Sequence, residues 1–79
     1  MRTIPAEDLT ALVARLCADA NIRLPADVTA AVGAALERET SPLARDILRA
    51  IRENAACAVR DGLAVCQDTG TAVVFIDWG

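Results

Sequence analysis

Histidine is absent from the 79 residues, and lysine is absent too, so all eight basic side chains are arginine. Without histidine, neither a zinc site of mixed Cys and His ligands nor a Cys–His nucleophile can be completed from this chain. Cysteine is scarce: Cys17, Cys57 and Cys66 are an odd number with no paired spacing and no Cys-x-x-Cys. In a reducing compartment that excludes a disulfide framework. No run approaches the ~20 apolar residues of a membrane helix, and the N-terminus lacks the charged start, apolar middle and small-residue cleavage site of a signal peptide. The expectation is a cytoplasmic protein without a membrane partner. Basic residues are too few and too scattered for a nucleic-acid footprint, and the net charge of -3 points away from one.

What remains is globular material: 54% of residues are hydrophobic and 24% charged. At this length one domain is the limit, and a lone fold would bury only roughly 60% of its unfolded surface. The abundant alanine and the all-arginine basic set read as genomic or helical bias, not as a site.

Helical periodicity organises most of the chain. Pro5 suits a first helical turn, Glu7 and Asp8 suit its positive end, and Leu9, Leu12, Val13, Leu16, Cys17 and Ala20 form one face. A helix is predicted over about 5–20, with Asn21 as its stop and Cys17 as a buried small apolar residue. Pro25 and Asp27 start a second, over about 25–39, with Val28, Ala31, Val32, Ala35 and Leu36 on its apolar face. Gly33 weakens it, or lets another helix come close. Ser41-Pro42 is the clearest start in the sequence, a capping hydroxyl followed by a proline at the first helical position. The third helix is predicted over 42–61, its stripe carried by Leu43, Ala44, Ile47, Leu48 and Ile51, with Arg45, Arg49 and Arg52 opposite and Gly62 as its left-handed stop. Residues 63–70 form a loop. The run 71–76, Thr-Ala-Val-Val-Phe-Ile, predicts one strand buried on both faces. A strand needs a partner and none follows it, so continuation of the protein, or pairing with another chain, is expected.

Chemistry is concentrated in Cys66-Gln67-Asp68-Thr69-Gly70. A loop cysteine before a strand can offer its thiolate to iron, but one thiolate is not a metal site. On residue types alone, Cys66 reads more readily as a structural or free thiol than as a ligand. Asp68 reads as turn chemistry, with its carboxylate on nearby backbone N–H groups. Gln67 could be surface, and Gly70 supplies an unusual backbone angle.

The order of these residues carries more. The stretch from Ala64 and Val65 through Cys66-Gln67-Asp68-Thr69-Gly70 to Phe75 resembles the N-terminal part of the class I, iron–sulfur-dependent fumarate hydratases and the related alpha subunits of L-tartrate dehydratase. Upstream, 21–28 and 39–45 resemble the same family. The resemblance implies that Cys66 is one of three cysteines holding a 4Fe–4S cluster, and that Gln67 and Asp68 face a dicarboxylate substrate. It implies a reversible hydration in which the cluster's open iron acts as Lewis acid, Asp68 is the catalytic acid–base group and Gln67 orients the substrate. The other ligands and the cations that grip substrate lie in the family's later sequence. Cys17 and Cys57 match no ligand motif.

The expected fold is therefore mainly α: three helices followed by one C-terminal strand, an N-terminal piece of a larger α/β hydro-lyase domain. Its expected partners are the remainder of that enzyme, in the same chain or as a separate subunit, and a second copy in a homo-oligomer. The alternative is a truncated, non-catalytic helical interaction module retaining the motif. A thiol redox protein using Cys66 would need a resolving cysteine, and that loop has none. Fumarate and tartrate are not distinguished by these residues.

Overall fold

A computed structural model describes residues 2–68 and 70–79. It contains three helices in chain order, α1 (Ala6–Ile22), α2 (Ala26–Arg38) and α3 (Pro42–Asp61). Each starts at a proline or just after one. Pro5 and Pro25 stand at the N-cap positions of α1 and α2 in extended backbone, without a capping side chain, while acidic residues occupy the first turns, Glu7 and Asp8 in α1 and Asp27 in α2. Negative charge there meets the positive end of the helix dipole. In α3 the N-cap is Ser41, whose Oγ accepts from the Ala44 N–H at 3.5 Å, with Pro42 in the first position.

The helix ends are closed by different means. Asn21 turns its side-chain amide back to the Cys17 carbonyl at 2.7 Å, and α1 continues to Ile22, two residues past the predicted end. Arg23 then leaves in extended backbone while its guanidinium pairs with Asp19 at 2.9 Å. At the end of α2 the Thr40 N–H, which one more turn would have aimed at the Leu36 carbonyl, instead donates to the Glu39 carboxylate at 3.1 Å. Arg45 takes over: its Nη1 donates to the Leu36 carbonyl at 2.8 Å and to the Glu39 carbonyl at 3.0 Å. A residue expected on the solvated face of α3 thus caps α2. Gly62 ends α3 at φ 66°, ψ 35°, the left-handed conformation that costs glycine nothing.

The predicted C-terminal strand is not formed. No residue from 71 to 79 has regular secondary structure, and among the described residues none of them makes a backbone–backbone hydrogen bond. The reason is the one that made the prediction incomplete: a strand exists through its ladder, and no second segment here presents one. The mainly helical character does hold. Residues 71–75 lie alongside α1, enclosing with Val13, Leu16, Cys17 and Ala20 a groove of about 430 Å³. Cys17 is exposed on that side of α1, contrary to its expected burial.

α3 packs mainly on α2, and α1 touches α3 more sparsely. Among the described residues only Leu36 and Ala58 are buried, at 6% and 3% exposure. The apolar stripes predicted for α1 and α3 are present but uncovered, with Leu16 at 55% and Ile47 at 54% exposure. The radius of gyration is 17.0 Å, where a compact domain of this length would have about 12 Å. The accessible surface is 6749 Å², against about 4,600 Å² for a compact monomer of this mass. Roughly 2,000 Å² is therefore in excess of a self-contained fold.

Candidate functional site

The Cys66 loop is positioned by the chain reversal after α3. The Gly62 and Leu63 N–H groups both donate to the Ala58 carbonyl, folding the chain back beside its own helix. Val65 is then held from both sides. Its N–H donates to the Asn21 carbonyl at the end of α1, at 2.8 Å, and its carbonyl accepts from Nδ2 of Asn54 in α3, at 2.7 Å. Val65 is half-buried, whereas Cys66, Gln67 and Asp68 are exposed.

Beyond that anchor the loop has few internal contacts. The Cys66 Sγ stands 4.0 Å from the Asp68 carbonyl oxygen, at the outer limit of a weak S–H contact. Among the described residues this is the hydrogen bond in which Asp68 takes part, and it uses the backbone; the carboxylate turn expected from the sequence runs through Thr69. Gly70 has φ 61°, the positive angle expected of it. Thr69, part of the predicted motif, lies outside the described residues. The structure brings Cys66, Gln67 and Asp68 together as sequence neighbours on one exposed loop.

Cys66 and Val65 also lie at the rim of an open groove of about 580 Å³ between α2 and α3, with Val28 and Val32 on one wall and Ile47, Ala50 and Ile51 on the other. Among the described residues Asn54 is the only amide in its lining. Among the described residues no arginine lines this groove or the one beside α1, and a dicarboxylate needs cations or several directed N–H donors to replace its water. These grooves suit apolar side chains, not a dicarboxylate.

The donor set for an iron–sulfur cluster can be tested on the same geometry. Among the described residues no three of Cys, His, Asp or Glu converge to hold a metal. Cys17 is on α1, and Cys57 on α3 donates its S–H to the Asp61 carboxylate at 3.2 Å. That bond, first, and the partial desolvation of the sulfur raise the Cys57 thiol above the ordinary cysteine range, opposite to what a thiolate ligand requires. The described residues therefore do not fit a complete cluster. Cys66 offers one exposed sulfur on an anchored backbone. The anchoring residues Asn21 and Asn54 were not singled out as site residues by the sequence; a polar amide in the alanine-rich middle of α3 was the available signal.

The family model described as fumarate hydratase (Fumerase) matches residues 10–79. A curated relative, the protein named "Putative L(+)-tartrate dehydratase subunit alpha" from Methanocaldococcus jannaschii, is 38% identical over 68 residues, which make up 86% of this chain and 24% of that protein. The chain thus spans about a quarter of the length of the relative it matches. No solved structure gives a significant match. Among the described residues no helix is long and apolar enough to cross a membrane.

Proposed function

The chain belongs to the fumarate hydratase family, and from that premise we propose that it acts as the N-terminal portion of a hydro-lyase that reversibly adds water to the double bond of a dicarboxylic acid, of the fumarate or tartrate type. The observation that carries this reading is the family match through residues 10–79, which includes the whole Cys66–Gly70 motif. In this reading Cys66 contributes one thiolate to a 4Fe–4S cluster, and the other ligands come from the rest of the enzyme. Gln67 orients the substrate through its amide. Asp68 moves the proton at the carbon beside the hydroxylated one, a task within reach of a carboxylate on an exposed loop once the loop is enclosed by the rest of the enzyme.

The partner in this reading is the remainder of the hydro-lyase, as a continuation of the chain or a separate subunit. It would cover the uncovered stripes of α1 and α3. An excess surface of roughly 2,000 Å² is of the size seen at obligate interfaces. Those exposed faces would also suit a non-catalytic helical interaction module, but they do not favour it, since the hydro-lyase reading accounts for them equally.

Anaerobic reconstitution with iron and sulfide is the test. The chain alone should acquire no stoichiometric cluster and turn over neither fumarate nor tartrate. Combined with the remaining part of the enzyme it should gain both properties, and Cys66→Ser should remove them. A stoichiometric cluster and turnover on the isolated chain would refute the division of the site. A combined enzyme indifferent to Cys66→Ser would refute the role of the motif.

A further inference from the structure

We propose that Asn54 is a positioning residue for Cys66, fixing the peptide plane from which that cysteine projects; this rests on the reading of Cys66 as a cluster ligand. The Asn54 amide donates to the Val65 carbonyl at 2.7 Å across eleven residues of sequence. The Val65 carbonyl, the Cys66 nitrogen and the Cys66 Cα belong to one planar peptide unit. Holding that oxygen therefore holds the Cys66 Cα, three bonds from it through the planar unit. The preceding peptide is held as well, since the Val65 N–H donates to the Asn21 carbonyl at 2.8 Å, and Asn21 is itself tied to α1 through its amide on the Cys17 carbonyl at 2.7 Å. Only the torsions within Cys66 remain free to aim its sulfur. The exposed residues after it have no comparable tie among the described residues.

The residue type fits the task. Asparagine is a poor helix former, because its side chain competes for backbone hydrogen bonds, yet it stands within α3 between Glu53 and Ala55-Ala56. A local rule broken in mid-helix is expected where a side chain serves a site. Here the amide faces an otherwise aliphatic groove wall and meets the one carbonyl that leads into Cys66. A carboxylate of the same shape would repel that carbonyl, and a methyl group would leave it to water.

Amide hydrogen exchange on the chain tests the clamp without activity. In Asn54→Ala and Asn54→Asp the bond lost is on the Val65 carbonyl, and the loosened segment should let the Val65 N–H part from the Asn21 carbonyl more often, so that its exchange accelerates by about 3- to 10-fold, while Ile51 and Ala55 within α3 keep their protection. Asn54→Ala separates this from a structural role, because alanine strengthens the helix and a purely helical effect would raise protection throughout. Unchanged exchange at Val65, or loss shared equally with Ile51 and Ala55, overturns the proposal. In the assembled enzyme, Asn54→Ala should release iron to a chelator several-fold faster than the parent; equal rates overturn it. Cys66→Ser there is the independent arm. If it leaves the iron in place while Val65 exchange responds to Asn54, the ligand reading of Cys66 fails and the positioning role falls with it. If it empties the site while Val65 ignores Asn54, the positioning proposal fails alone.

Discussion

Replacing Arg45 by methionine keeps most of the length and the apolar stem of the side chain and removes its guanidinium. The Nη1 that is lost lies 2.8 Å from the Leu36 carbonyl and 3.0 Å from the Glu39 carbonyl, both at the C-terminal end of α2. Neither distance is marginal, and the group is part-buried, so water replaces it incompletely. Nη1 carries two N–H groups and can give one to each carbonyl, so the loss is at least that of a single bond to a charged donor, about 1.5–3 kcal/mol. Partial exposure moves the expectation to the lower end, about 1.5 kcal/mol, or roughly tenfold in the unfolding constant. The helix dipole adds to the loss, since a cation at a helix C-terminus is favourable. Arg45→Lys should recover about half, because an ammonium supplies the charge but lacks the planar fork that spans two carbonyls. Urea unfolding of the chain followed by far-ultraviolet circular dichroism measures both variants. If Arg45→Met unfolds within about 0.3 kcal/mol of the parent, below the usual worth of a hydrogen bond, the guanidinium does not cap α2. If Arg45→Lys loses as much as Arg45→Met, the charge contributes nothing, and the half assigned to the ammonium is refuted.

Two glycines should respond to alanine with opposite signs. Gly33 lies within α2 with nothing near the position of an added Cβ, so Gly33→Ala should stabilise by roughly 0.5–1 kcal/mol; Gly62→Ala also meets no atom but must adopt φ 66°, and should destabilise by about 1 kcal/mol. The same urea titration reads both, and equal signs would contradict the assigned backbone. Leu36→Ala should cost roughly 2–3 kcal/mol as the loss of a buried leucine, whereas Leu43→Ala, 71% exposed, should change the isolated chain by under about 0.5 kcal/mol; similar losses would mean that Leu43 is covered in solution. The Asp61 carboxylate accepts from the Cys57 thiol and holds its pKa above the ordinary cysteine value. Asp61→Asn removes the bond and the negative charge that disfavour the thiolate, so the pH profile of Cys57 alkylation, measured with Cys17 and Cys66 replaced by alanine, should move to lower pH; an unmoved profile would dismiss the contact.

The helices were legible because their signals are local. Apolar residues three and four apart, prolines at the starts, Ser41 before Pro42 and Gly62 after Asp61 each act within a turn or two. The strand at 71–76 failed for the converse reason. Its composition describes a surface that wants a ladder, and composition does not create the neighbour. Burial failed in the same way: the stripe through Leu43, Ile47 and Ile51 marks the face that calls for cover, but those side chains are 71%, 54% and 44% exposed. At the site, the motif residues could be named from their order, while Asn21, Asn54 and Arg45 could not, because each meets its partner across a chain reversal or between helices. Polar residues read as a helix stop or a solvated face prove to be the ties between elements.

The excess surface has a thermodynamic consequence for assembly. Were all of the roughly 2,000 Å² apolar, covering it would lower the heat capacity by about 0.9 kcal/mol/K, the upper bound. Association with such a signature is driven near room temperature by the release of water and weakens on cooling. The union of this chain with a partner that covers these faces would then be cold-labile, tightest in warmth and loosened on ice.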